Sequence, residues 1–169
     1  MSPAKGGSIF GCVPALNAAG QDIRLNRAAF ALRLGLGFLW VWEGLVPKLL
    51  FLTPEGIAHV ARTGLVPIDA PTFIRLLGIF EIALGLAILA GYRIRLLAVL
   101  QLTLNALFTL TIVFTEPKLL ADPLGAMIKN IPMLAAQYAQ FCLGAGTIWS
   151  WDARRERKKA AALGFSSVL

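Results

Sequence analysis

Two carboxylates and two ammonium groups stand in or beside stretches that are otherwise apolar. Glu43 and Lys48 lie in Phe38-Leu-Trp-Val-Trp-Glu-Gly-Leu-Val-Pro-Lys-Leu-Leu50, Glu81 lies in a second run, and Lys129 with Asn130 precedes a fourth. Ionisable groups in such surroundings are costly, and they default to functional candidates for that reason. Acids at this depth could hold a ligand or handle protons. An adjacent ammonium would compensate them, whereas a lone buried charge would titrate to its neutral form. The competing reading is structural, because lipid gives helices no hydrophobic reason to associate and buried polar contacts hold them together.

The elements that must position these groups follow from hydropathy. The chain has 169 residues, 57% of them hydrophobic and 15% charged. A soluble domain of that size could not keep a wettable surface. Four runs of about 19 residues, Ala28 to Val46, Phe73 to Gly91, Leu96 to Phe114 and Ile131 to Trp149, approach the roughly 20 needed to cross a bilayer core. Apolar residues occupy every face of each run. The expectation is an all-α, polytopic membrane protein. It comprises a mobile tail over residues 1–26, a four-helix transmembrane bundle over 27–151 and a basic tail over 152–169. The first run is too long and too late for a cleaved signal peptide.

A helix rises about 1.5 Å per residue, which puts Glu81 about 12 Å and Asn105 about 14 Å inside their spans. Gln137 and Gln140 fall at similar depth on the fourth, and Glu43 lies in the outward half of the first. Glu43, Lys48, Glu81, Asn105, Lys129 and Asn130 are therefore expected to form one interior polar cluster, with both acids facing inward.

Basic residues set the orientation. Eleven, namely Lys5, Arg24, Arg27, Arg33, Arg93, Arg95, Arg154, Arg155, Arg157, Lys158 and Lys159, share the side of the termini, against five opposite, Lys48, Arg62, Arg75, Lys118 and Lys129. Positive residues mark the cytoplasmic side, so both termini are expected there. The net charge of +7 then reflects topology, and no basic platform interleaved with aromatics suggests nucleic acid. Cys12 and Cys142 form no Cys-x-x-Cys, and His59 is the single histidine. A thiol relay, a bis-histidine haem site and a His/Cys metal centre are accordingly not expected.

Thr53-Pro-Glu-Gly predicts a short interfacial helix from Pro54 to about Thr63, ended by Gly64. Asp69-Ala-Pro71 opens the second span and Asp122-Pro123 looks like another helix start, with Pro132 about two turns inside, so that either the fourth helix is kinked there or a short interfacial helix precedes it. Ala31/Gly35 and Ala83/Ala87/Gly91 are small residues spaced for close helix contact. Arg33 is expected to snorkel and Cys142 to act as a small apolar filler. The segment Asp152 to Lys159 should extend the last helix briefly, either resting on anionic lipid or serving as a solvated topology signal without lipid contact.

Arg33-Leu-Gly-Leu, Trp42-Glu-Gly-Leu-Val-Pro-Lys48, Leu77-Gly-Ile-Phe-Glu81 with Ala83-Leu-Gly85, and Lys129-Asn-Ile-Pro132 together resemble the DoxX-like membrane proteins. The resemblance implies a four-helix protein of the bacterial inner membrane. It implies a link to quinone-dependent thiosulfate oxidation or to membrane oxidoreductase assemblies, and it maps the family's acidic and lysine positions onto Glu43, Lys48, Glu81 and Lys129. The expected function is an accessory subunit of an oxidoreductase, not catalytic on its own, with quinone as the cofactor class and lipids, oxidoreductase subunits or further copies of the chain as partners. The alternatives are a dimeric proton-coupled carrier using Glu43 and Glu81, or a structural membrane adaptor.

Overall fold

The computed structural model describes residues 18–64, 66–115, 117–118 and 129–162. The architecture is all-α, with six α-helices among the described residues: α1 (Ala18–Leu45), α2 (Pro54–Thr63), α3 (Ala70–Ala90), α4 (Ile94–Thr115), α5 (Asn130–Leu143) and α6 (Trp151–Ala162). Among the described residues, three helical stretches are long and apolar enough to cross a membrane: Asp22–Leu50, Ala70–Ala90 and Ile94–Thr115.

The first begins upstream of the apolar run and does not stop at Val46. It passes into one wide turn, Val46–Leu50, in which the Phe51 N–H donates to the Val46 carbonyl five residues back at 2.9 Å. Pro47 explains the change of pitch, since it has no N–H to give the carbonyl four residues before it. The short helix α2 has its expected bounds. Thr53 Oγ1 accepts from the Gly56 N–H at 3.2 Å, and Gly64 ends the helix in the left-handed region. At α3, Asp69 Oδ2 accepts from the Thr72 N–H at 3.0 Å. That bond holds the Asp69 carboxyl below its ordinary range.

The fourth run departs from expectation. Helix α5 ends at Leu143, because Gly144 takes φ 68° and ψ −156°, a conformation essentially confined to glycine. A turn follows, and α6 starts afresh at Trp151 instead of extending the same helix. Pro132 falls in the first turn of α5, where a missing N–H leaves no helical bond unmade. Asp122-Pro123 lies outside the described residues.

Helix α1 packs along α3, and α4 along α5. Between α1 and α3 the contact is backbone on backbone. A methyl placed on Gly85 would lie 2.6 Å from the Gly37 carbonyl oxygen and 2.8 Å from Val41 N, and one on Gly78 would lie 2.7 Å from the Gly44 carbonyl oxygen. Gly37 and Gly44, seven apart, thus face Gly85 and Gly78, seven apart on an antiparallel partner. Of the small residues expected to do this, Gly35 does not, having no atom within 4 Å of where a Cβ would sit, whereas Gly91 closes on Arg33 and Ser150. Gly91, with φ 68°, caps α3.

Trp40, Leu84, Ile88 and Ile94 form the apolar core that joins the two helix pairs. At the Gly91 end the chain is tied by polar contacts. Arg33 does not snorkel: it is 1% exposed, and its Nη2 donates to the carbonyls of Ile148 at 2.8 Å and Trp149 at 3.3 Å. Asp152 accepts from the N–H groups of Arg93 at 2.8 Å and Ile94 at 3.0 Å, so the second residue of α6 caps α4.

Gly85→Ala should destabilise the fold by about 1–3 kcal/mol through overpacking against backbone that cannot yield. Gly35→Ala should be neutral or slightly stabilising. Thermal unfolding of both variants in detergent checks this contrast. Because the folded Asp69 pKa is lowered, its stabilisation is complete above the unfolded value of about 4 and is lost as pH falls through the folded value. The Tm difference between wild type and Asp69→Ala should therefore close as pH drops below about 4.

Candidate functional site

The glycine contact places the first half of the site. A methyl on Gly44 would meet the Gly78 carbonyl oxygen and lie 3.0 Å from Glu81 Cβ, and one on Gly78 would lie 2.9 Å from Lys48 Cβ. With the backbones this close, Lys48 and Glu81 are forced side by side. Lys48 Nζ lies 2.6 Å from Glu81 Oε2. The two atoms pair by charge, without the alignment of a hydrogen bond.

The same ammonium donates to the Glu43 main-chain carbonyl at 3.0 Å. That carbonyl is the one Pro47, four residues on, cannot serve. Lys48 thus completes the distorted helix and neutralises Glu81 at once. The Glu43 carboxylate turns the other way and accepts from Lys129 Nζ at 2.9 Å. Side-chain exposure falls along the series, from 57% at Lys129 and 33% at Glu43 to 20% at Lys48 and 2% at Glu81. Of the two acids, then, Glu81 is interior. Glu43 is not, because it sits at the edge where its partner meets the surroundings.

The second half is a ladder of uncharged groups between α4 and α5. Gln101, Asn105 and Thr109 follow one another at four-residue steps on one face of α4. They meet Gln140, Gln137 and Asn130 on the antiparallel α5: Gln101 Nε2 donates to Gln140 Oε1 at 2.9 Å, Asn105 Nδ2 to Gln137 Oε1 at 3.5 Å, and Asn130 Nδ2 to Thr109 Oγ1 at 2.9 Å. All but Thr109 are buried. Trp40 joins the ladder to α1, its Nε1 donating to Gln101 Oε1 at 3.0 Å.

The tryptophan sets the direction of this chain. An indole N–H can only donate, so the Gln101 oxygen must accept, its amide must donate onward, and the Gln140 oxygen must accept in turn. The series ends in a donor, Gln140 Nε2. That atom and Gln137 Nε2 are buried and have no hydrogen-bond partner among the described residues. An unmade bond of this kind costs about 1–3 kcal/mol.

All six residues singled out by sequence lie in this region, in two groups. Glu43, Lys48, Glu81 and Lys129 form linked ion pairs, while Asn105 and Asn130 belong to the amide ladder. Lys129 and Asn130 are consecutive and connect the two at the start of α5. Sequence reasoning missed Trp40, Gln101 and the burial of Arg33. Gln101 was detectable, since it stands four residues before Asn105 in a run with few other polar residues. Cys142 is exposed, not a filler. No group of three or more His, Cys, Asp or Glu residues that could hold a metal occurs among the described residues.

A family model described as the DoxX-like family matches residues 37–138, more than half of the chain. The chain belongs to the DoxX-like family. Its matched segment runs from Gly37, the first glycine of the α1–α3 contact, to the residue after Gln137, and so includes every member of the ion cluster. Arg33 and Gln140 lie outside it. No curated protein and no solved structure matches the chain. With its long apolar helices, this DoxX-like chain is a multi-pass membrane protein.

Removing one partner of the buried pair should be costly. Lys48→Met leaves Glu81 without its cation and should destabilise by about 3–5 kcal/mol, whereas Lys48→Met combined with Glu81→Leu should recover much of that loss. The exposed pair is different, and Glu43→Gln with Lys129→Gln should change stability by about 1 kcal/mol or less. A double-mutant cycle by chemical unfolding in detergent measures each coupling.

Proposed function

We propose that this DoxX-like protein is an accessory membrane subunit of an oxidoreductase assembly, and that its interior polar site holds a small apolar ligand bearing hydrogen-bond-accepting oxygens, of the quinone class. The observation that carries this reading is the pair of buried amide donors, Gln137 Nε2 and Gln140 Nε2, on one face of α5. The direction imposed by Trp40 makes Gln140 a donor in search of an acceptor. A carbonyl oxygen would satisfy it, and apolar walls with a few convergent polar groups suit such a ligand. The chain is assigned no catalytic step of its own.

The proposal includes four passes with both termini cytoplasmic. Helix α5 has 14 residues, about 21 Å against a hydrocarbon core of about 30 Å. The apolar segment that follows it, and the exposure of Ile131, Tyr138, Phe141 and Trp149, support a fourth crossing completed by the turn. Eleven basic residues on the side of the termini support the orientation.

A second reading is a proton-coupled carrier. The graded exposure from Lys129 through Glu43 and Lys48 to Glu81 favours it, since the series runs from the surface to a buried carboxylate. One set of variants separates the two. Protein extracted in mild detergent should retain a quinone detectable by mass spectrometry, and Gln140→Leu should fold but lose it. Retention unchanged in Gln140→Leu would overturn the ligand reading. Proton flux into liposomes that disappears in Glu81→Gln would favour the carrier.

A further inference from the structure

Helix α6 has two unlike faces. Trp151, Arg154, Arg155 and Lys158 follow the spacing i, i+3, i+4, i+7 and share one of them. Ala153 and Ala160, seven apart, share the opposite one and are half-buried, whereas every basic residue of the helix is exposed. Glu156 Oε1 takes Lys159 Nζ at 3.1 Å. Among the described residues, Arg154, Arg155, Arg157 and Lys158 form no ion pair. Four cations on a helix of 12 residues are thus left without an anion. Trp151, in their midst, is 58% exposed. An indole is at home where one side is apolar and the other wet.

We infer that α6 is a docking surface for anionic phospholipid headgroups, with Arg154, Arg155, Arg157 and Lys158 on lipid phosphates and Trp151 at the headgroup boundary. The level of the helix is fixed by Asp152, whose bonds to the N–H groups of Arg93 and Ile94 hold it where the spanning helix α4 begins. Tyr92 and Trp149, both exposed, lie beside the same end and suit the water–lipid boundary. Along the helix axis Arg154 lies about 3 Å from Asp152 and Lys158 about 9 Å. The Debye length at physiological salt is about 8 Å. At whatever angle α6 leaves the bundle, its first cations therefore stay within the potential of an anionic leaflet, and guanidinium groups bind phosphate in bidentate fashion. A solvated topology signal needs only a number of charges. It does not need them gathered around a tryptophan on one face of a helix tied to the end of a span. The surface lies outside the residues matched by the family model and is separate from the interior donors Gln137 and Gln140.

The test compares the whole protein in nanodiscs of phosphatidylcholine alone and of equal phosphatidylglycerol and phosphatidylcholine. Hydrogen–deuterium exchange of α6 is read by mass spectrometry. Exchange should be slower in the anionic discs, and the difference should vanish in 1 M salt, where the Debye length falls to about 3 Å. Combined Arg154→Gln, Arg155→Gln and Lys158→Gln should abolish the difference and keep the wild-type Tm, because none of the three makes an ion pair with the described residues. Gln140→Leu should leave it unchanged, which keeps this result apart from the fate of the quinone reading. The inference is overturned if α6 exchanges equally in the two discs, or if the triple variant is still slowed by phosphatidylglycerol. It also falls if exchange is equal in both discs and slows only on addition of soluble polyglutamate, which would make an acidic protein the partner.

Discussion

Where Gly44 faces Gly78, two helix backbones touch, and the side chains flanking the contact have nowhere to go except against one another. Lys48 and Glu81 are those side chains. A carboxylate that is 1% exposed in a membrane bundle needs a cation of its own, and here the cation arrives by helix packing. Any side chain larger than hydrogen at Gly44 or Gly78 would push α1 from α3 and draw the charges apart. The glycines are therefore part of the polar site although they carry no chemistry.

Pro47 adds a second consequence of the same contact. It removes a donor from the helix just where Lys48 turns inward, and the Glu43 carbonyl left behind becomes a second acceptor for that ammonium. One lysine thus neutralises a buried acid and completes a helix. The same wide turn lies between Glu43, whose carboxylate reaches Lys129 on α5, and the end of the span. The first helix is in this way connected to both halves of the bundle, by packing to α3 and by charge and the Trp40 hydrogen bond to α4 and α5.

The uncharged ladder follows a different rule. Hydrocarbon offers no partner to an amide, so Gln101, Asn105, Gln137 and Gln140 pair across the α4–α5 interface. Pairing uses the oxygens of Gln101, Gln137 and Gln140 and leaves two N–H₂ groups over. A ladder made solely to hold helices would do better with fewer amides. That surplus of donors is what the proposed ligand would satisfy. The opposite end of the bundle is simpler, with Arg33 on the carbonyls of a turn and Asp152 on the first N–H groups of α4.

Much of this was legible in the chain itself. Long apolar runs determined the helical membrane character, and the Thr53 and Asp69 caps with Gly64 determined the ends of their helices, because capping needs only residues a few positions away. The interior acids and lysines were identifiable because charge in an apolar run stands out whatever its partner. Other features depended on distance between segments. Spacing alone did not separate glycines that face a helix, Gly37, Gly44, Gly78 and Gly85, from Gly35, which faces open space. Nor did it place Arg33 inside, since a snorkelling and a buried arginine have the same sequence context until the Gly144–Ser150 turn supplies its carbonyls. The fourth apolar run read as one helix because hydropathy does not register backbone angles, and only the left-handed turn at Gly144 divides it. Which amide donates to which, and which donors are left over, was decided by the tertiary structure alone, because it depends on Trp40, sixty-one residues from the glutamine whose direction it sets.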